Sequence, residues 1–507
     1  MEAGRYTWPT FQDMFQPTVT AGQQRRLNIY DSTAITACLR MTSGIFSYLM
    51  PVGAKWFEFK SSDVAENEIA EVQEWLSKAT SATHSEIWKS NFQREMFMTI
   101  RSLSCFGTGA ISVEKDKQTK EIVFRNYHIA DIFFEENIRG QVDVVFRRMY
   151  YTVRQAVQEF GYDNLSKKLK KEYDDGHFSK KFEFVHAVYP REDYNPNKID
   201  SQGKKFEGQY IEIDTKKQVQ KDAFELNPYF VGRFTKAPNE LMGRSPATEL
   251  LPEIKMLNAM RKTFIEQAEY EANPAMLIED DCVIGQPATG AGKNIYIRPG
   301  AAVPTPWKKG TSSALTAEVI RDQRAIVTDG FFNDLFSALA QFRNMTATEV
   351  VERVEEKMVL LAPIISGLQK ELFDPIITRV LDLIADGKRV LSPPQDIDID
   401  VVYQGRLALA MSNMQTNAIE VSLAKWAPYA ELGVMDNFDT DSASRRSWLN
   451  SGAPAEDLVP VEVRDARRKE AKDRQEAAEN AQIGETASKA IKNVSGAEEQ
   501  ALLEQLV

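Results

Sequence analysis

IYDSTAITACLRMTSGIFSYLMPVGAKWFEFK, residues 29–60, decides how this chain is read. Ala34, Cys38, Met41, Ile45 and Tyr48 recur at steps of four and three, the spacing that puts side chains on one helix face. Pro51 cannot continue a helix and Gly53 accepts a turn, so the helix is predicted to stop there. Trp56, Phe57 and Phe59 follow. By itself the segment reads as a core helix leading into a strand.

The whole chain has 507 residues and is 43% hydrophobic, enough for a large core. Its length suggests roughly two to four domains. The net charge is -11, so a basic nucleic-acid surface is not expected from the total. The cysteines are Cys38, Cys105 and Cys282; an odd count without a C-x-x-C pair predicts reduced core residues of a cytosolic product. His84, His128, His177 and His186 are scattered without metal-ligand spacing, and no cofactor is expected. The N-terminus lacks the basic and apolar regions of a signal peptide, and no apolar run reaches the roughly 18 residues of a membrane span.

The middle region, from about Ala110 to Phe234, reads as a mainly antiparallel α+β domain. Residues 1–22 form an arm. Helical patterning covers 23–50 and 64–103, with an interruption predicted at Thr80–Ser85. Strand-like runs follow at Ala110–Glu114, Ile122–Tyr127, Val142–Tyr151, Phe182–Tyr189, Tyr210–Ile213 and Tyr229–Phe234, with a short helix Val153–Phe160 stopped by Gly161. From Pro246 the pattern changes. Leu250, Ile254, Leu257, Phe264 and Ala268 predict a long helix that stops near Asn273–Pro274. Residues 274–310 are loop and strand, and a second helix over 314–335 has Val319, Ile326, Val327 and Leu335 on one side.

A third long helix opens on a capping box, Thr346 with Glu349. Val351, Val354, Met358, Leu361, Ile365, Leu368 and Leu372 form its heptad seam. Pro363 is predicted to kink it, and Asp374–Pro375 to restart it as cap and first residue. It ends at Gly387; the strand-like IDIDVVYQG, residues 397–405, and helices over 406–425 come next. Val461–Ala481 is polar on all sides and reads as a solvated helix held by pairs such as Glu470–Arg474, and the rest looks mobile.

Three blocks in order resemble the portal, or head-to-tail connector, proteins of short-tailed bacteriophages. They are Ile29–Lys60, Asn239–Asn258 with its Gly243-x-x-Pro246 turn, and Thr346–Gly387. The resemblance covers most of the first 400 residues and implies a portal fold of α+β class. It implies a wing over 1–245, stem helices at 246–272 and 312–335, a clip at 273–311 and a tunnel loop at 336–347. A long kinked helix and return strand would fill 348–404, and a helical crown with a mobile tail 405–507. The implied activity is structural, not enzymatic: a ring of about a dozen subunits at one capsid vertex. Its implied partners are double-stranded DNA bound without sequence preference, the terminase large subunit, the major capsid and scaffold proteins, and a tail adaptor. No membrane is involved.

On that map Gln341, Arg343, Asn344 and Met345 belong to the tunnel loop. A guanidinium meets a phosphate whatever the base, which suits Arg343 to a non-specific channel. Lys293, Arg298, Trp307, Lys308 and Lys309 belong to the clip and its docking surface. Without the map, Arg343 is an ordinary solvated arginine and Trp307 a core residue beside two lysines. Gly290-Ala-Gly292-Lys293 imitates a phosphate loop but fails it: Pro287 stands where the first glycine belongs, and Asn294 where Ser or Thr would hold magnesium. A nucleotide-dependent enzyme and a ring-forming tail adaptor are the alternatives.

Overall fold

The computed structural model describes residues 2–9, 28–51, 55–63, 65–116, 119–198, 200–286, 293–307, 313–335, 361–386, 397–404, 439–450 and 463–475, with single positions 421, 425, 428 and 459. The chain divides into two compact units. The first holds Met1–Trp56, Ser81–Leu391 and Gly405–Leu407; the second holds Phe57–Thr80, Ser392–Gln404 and Ala408–Val507.

Helices α1 (Glu2–Thr7) and α2 (Thr33–Leu49) open the chain. All five stripe residues of α2 are buried, as their spacing predicts. Strand β1 (Phe57–Ser61) alternates between buried and half-buried positions. The interruption expected at Thr80–Ser85 is absent, because α3 (Ala70–Lys89) runs straight through it. The Thr80 hydroxyl donates to the Leu76 carbonyl at 2.8 Å, so it is satisfied inside the helix instead of competing with it. The chain breaks at Ser90–Asn91, before α4 (Phe92–Phe106), and Gly107 ends α4 in the left-handed region at φ +80°.

Strands β2 (Thr108–Lys115), β3 (Ile122–Tyr127), β4 (Ile132–Glu136) and β5 (Val142–Thr152) precede helices α5 (Val153–Phe160) and α6 (Lys167–Asp174). Then come β6 (Lys181–Pro190), β7 (Phe206–Glu212), β8 (Lys217–Phe224) and β9 (Tyr229–Arg233). They make a three-stranded sheet, β3-β2-β9, and a five-stranded sheet, β4-β5-β6-β7-β8. Every pairing is antiparallel, so the α+β reading of this region holds.

Two clusters fill the core of this region. Met149, Phe182, Phe184 and Tyr210 of the larger sheet pack with Val153, Phe160, Leu165 and Leu169. Ile132, Phe134, Val145 and Val188 pack with Ala110, Tyr127, Tyr229 and Val231 of the smaller sheet. Burying one such side chain contributes roughly 1.5–3 kcal/mol. The smaller sheet also meets α4, where Phe124, opposite Val113, contacts Phe92 at 5.0 Å. A strand covered on both faces needs no alternation, and Thr108–Val113 is buried throughout.

After β9 the chain forms α7 (Pro246–Glu249), α8 (Leu251–Ala272), the short strands β10 (Met276–Leu277) and β11 (Thr305–Pro306), and α9 (Ser313–Gly330). Helix α10 (Ala362–Leu368) passes through a π-helical turn, Gln369–Phe373, into α11 (Asp374–Asp386). Pro363 stands in the first turn of α10, where its missing N–H costs little. The expected restart at Asp374–Pro375 is absent: Asp374 has helical backbone angles and is not a cap. The π turn just ahead of Pro375 widens the helix where the ring would otherwise meet the carbonyl of residue 371. Of the seam, Leu361, Ile365, Leu368 and Leu372 are buried. Val351, Val354, Met358 and the Thr346–Glu349 box lie outside the described residues.

In the second unit β1 pairs antiparallel with β12 (Ile399–Tyr403), the strand expected there, with Phe57 opposite Tyr403. Helix α12 (Thr440–Asn450) follows, and residues 463–475 are helical. Their surface is exposed apart from half-buried Arg464, and Glu470 pairs with Arg474 at 3.7 Å, as the polar pattern predicts. The helices expected over 406–425 and the tail beyond 482 lie outside the described residues, save for positions 421 and 425. No described helix is long and apolar enough to cross a membrane.

Candidate functional site

The distinctive feature of the first unit is the helix, small β unit, helix order of α8, β10–β11 and α9. Its base is built by close backbone contact. A Cβ on Gly243 would lie 2.1 Å from the Gly107 carbonyl oxygen, and one on Gly107 would lie 2.3 Å from the Gly243 oxygen. Only glycine at both positions lets the turn seat against the end of α4. The Gly243 N–H donates to Thr108 Oγ1 at 2.8 Å. Ser245 then caps α7 in a reciprocal box with Thr248.

Helices α8 and α9 pack on each other near this base. Ile254 and Leu257 are buried on α8, and Ile320, Gln323 and Val327 on α9. The Gln323 amide donates to Glu253. A Cβ on Gly330 would stand 2.4 Å from Leu250 Cδ1, so a side chain there would require Leu250 to shift. A cavity of about 200 Å³ lies beside it, lined by Phe234, Pro246, Leu250, Phe332 and Ile364 among others.

Both helices also hold the segment ahead of α2. Arg324 donates to Asp31 Oδ2 from Nε at 3.0 Å and from a terminal nitrogen at 2.7 Å. Asn258 accepts the Tyr30 N–H at 2.7 Å and donates to the Asn28 carbonyl at 3.1 Å. Burial works to raise the Asp31 carboxyl, but hydrogen bonds from Thr33 and Arg324 outweigh it and hold it below the usual carboxylate range.

A second buried charge fixes the π turn to the sheet. Arg233 donates to Glu371 from its backbone N–H and from Nε, both at 3.1 Å, and it also pairs with Glu136. Its guanidinium therefore joins β9, β4 and the π turn.

The outer half of the helix pair is different. Among the described residues from 261 to 307, Cys282 alone is buried. Its thiol donates to the Ala302 carbonyl at 3.2 Å. The β unit is held by backbone bonds, Trp307 N–H to Ala275 at 2.7 Å, Ile284 N–H to Tyr296 at 2.8 Å and Arg298 N–H to Cys282 at 3.0 Å. Around this frame the large apolar side chains face outward: Tyr270, Leu277, Ile284, Tyr296 (67% exposed), Val303 (69%) and Trp307.

The same holds on the helices, with one correction to the sequence reading. Val327 and Leu335 are buried, but Val319 (42% exposed) and Ile326 (49%) are not on their side. The last two stand seven residues apart on a neighbouring stripe that turns outward. Periodicity alone cannot choose between two adjacent apolar stripes.

Of the residues predicted for docking, Lys293 and Arg298 are exposed, and Arg298 pairs with Asp281. Trp307 is half-exposed, not a core residue. Lys308, Lys309, Gln341, Arg343, Asn344 and Met345 lie outside the described residues. Residues 293–296 open no helix, and Ile297 bridges Val283 instead, which is the opposite of a phosphate loop. Sequence reasoning missed Leu277, Ile284, Tyr296 and Val303. Their signal was apolar residues in a turn-rich stretch with no periodicity to supply a core partner.

The family model for the bacteriophage head to tail connecting protein matches residues 1–459. A probable portal protein of Bordetella phage BPP-1 is 26% identical over 496 residues, covering 95% of this chain and 89% of that protein. A portal protein of Salmonella phage epsilon15 is 26% identical over 505 residues, covering 94% and 88%. With the match running through both units, the chain belongs to the bacteriophage head-to-tail connecting protein family.

Proposed function

We propose that the chain is a portal subunit, which assembles as a closed ring at one capsid vertex and conducts double-stranded DNA into the head and out again. The observation that carries this reading is the outward apolar surface of α8, α9 and the β10–β11 unit. A soluble monomer rarely leaves so much large apolar surface in one region uncovered. Copies packed side by side would cover it, helix against helix.

On this reading α8 and α9 are the stem, 273–311 the clip, 336–347 the tunnel loop and 405–507 the crown. The clip, through Lys293, Arg298, Trp307, Lys308 and Lys309, meets the terminase motor and later the tail adaptor. The chain makes and breaks no bond. Its net charge of -11 multiplies around the ring. An acidic tunnel holds DNA weakly, which suits a conduit, because every neutralised phosphate adds salt-dependent affinity and therefore drag. Arg343 would touch the phosphates in passing.

Counting nuclease-protected genomes in heads assembled without this chain tests the conduit. No packaged DNA is expected, with recovery when the chain is supplied in trans. Normal packaging in its absence would reject the portal role and favour a tail adaptor. Supplying Arg343→Ala should lower packaging yield or DNA retention, and wild-type values for both would remove Arg343 from the tunnel.

A further inference from the structure

Cys38, in the middle of α2, and Cys105, in the last turn of α4, are 67 residues apart in sequence, yet their Sγ atoms stand 3.2 Å from each other. Both side chains are buried. A disulfide bond is about 2.05 Å long, so the two sulfurs stand about 1.2 Å beyond bonding distance. Cys282 has no such neighbour and donates to a backbone carbonyl.

Helix α1 packs against both α2 and α4, the helices that carry the pair. Trp8 stacks on Phe106 at 6.2 Å, and the Arg101 guanidinium lies 4.4 Å from the Trp8 ring. Burial raises the Cys105 thiol, but contacts from Cys38, Thr7 and the Arg101 charge outweigh it and hold it below the usual thiol range. The hydrogen bond to Cys105, with burial, pushes Cys38 well above that range. At this separation either sulfur can donate to the other, so a thiolate formed on one is held beside the thiol of its neighbour. Local opening of α1, a helix of six residues, would let a small oxidant reach the pair.

We propose that Cys38 and Cys105 form a peroxide-reactive dithiol that closes into a disulfide and staples α2 to α4. The Cys105 thiolate attacks one oxygen of hydrogen peroxide. The O–O bond breaks, hydroxide leaves and takes up a proton as water, and Cys105 becomes a sulfenic acid. The Cys38 sulfur then attacks the Cys105 sulfur. The S–O bond breaks, the S–S bond forms, and a second water leaves with the Cys38 proton. Two thiols lose two electrons, and one peroxide gains them. The thiols stay reduced in a reducing cytosol, and the staple closes once the particle meets an oxidant.

The test treats the full-length wild-type protein with hydrogen peroxide, removes the excess, denatures it, alkylates free thiols and maps peptides by mass spectrometry. The expected result is a Cys38–Cys105 linked pair two hydrogens lighter than the reduced peptides, with Cys282 alkylated. The oxidised protein should also melt at a higher temperature, dithiothreitol should reverse the shift, and Cys105→Ser should show none. Recovery of Cys38 and Cys105 as alkylated thiols or as separate sulfinic or sulfonic acids would overturn the proposal. Linkage through Cys282 or between copies would do the same.

Discussion

Asp31 shows how one residue ties distant parts of the first unit together. Arg324 and the Thr33 N–H both donate to its carboxylate, and Arg324 lies on α9, far along the chain. Hydrogen bonds to a charged partner are worth about 1.5–3 kcal/mol, so Asp31→Asn should lower the unfolding free energy by about that much at neutral pH. The folded carboxyl titrates below its unfolded value of about 3.9. Its contribution is therefore complete above that pH and fades as pH falls through the folded value. Urea unfolding of both chains should show the gap between wild type and Asp31→Asn closing below about pH 4. A gap that stays constant into that range would contradict this account. The Arg324 contact was not legible in sequence, because the two residues lie 293 positions apart. The Gly243-to-Pro246 turn was legible as a pattern only; its physical reason, contact with Gly107, appears when the backbones meet.

At the scale of elements, legibility followed the strength of the local signal. Helix α5 was predicted to the residue, with Gly161 marking its end; the structure adds a Thr152–Gln155 capping box at its start. Strands β4 and β8 were missed; β8 is a polar edge strand that, among the described residues, pairs only with β7 and buries only Val219. Helix α6 was missed for a similar reason, since it buries only Leu169 and depends on the Ser166 cap. Helices α8 and α9 were found, but the outward stripe on α9 was assigned to the inner face. That stripe carries a prediction. Ile326→Glu puts a charge where a neighbouring copy should pack, and burying it unpaired should weaken assembly on the order of 100-fold or more, about 2.7 kcal/mol. The variant should sediment as a monomer at concentrations where the wild type assembles, with an unchanged circular dichroism spectrum. Assembly equal to wild type would free this face of α9 from the interface.

For the whole molecule, the sequence carried the class and the family, because the informative blocks are spread along the chain in order. The candidate site was legible only in part. Arg298 and Trp307 lie on the described β unit, whereas the tunnel residues rest on the resemblance alone. What joins the scales is incompleteness: a well-packed sheet region supports a helix pair whose outer half buries almost nothing of its own. The measurement that tests this most directly is electron microscopy of the purified full-length protein with particle mass recorded alongside. The account predicts closed rings of about a dozen copies around a hole wide enough for duplex DNA. Stable monomers or dimers at high concentration, with the apolar surface of α8 and α9 still open to solvent, would contradict it.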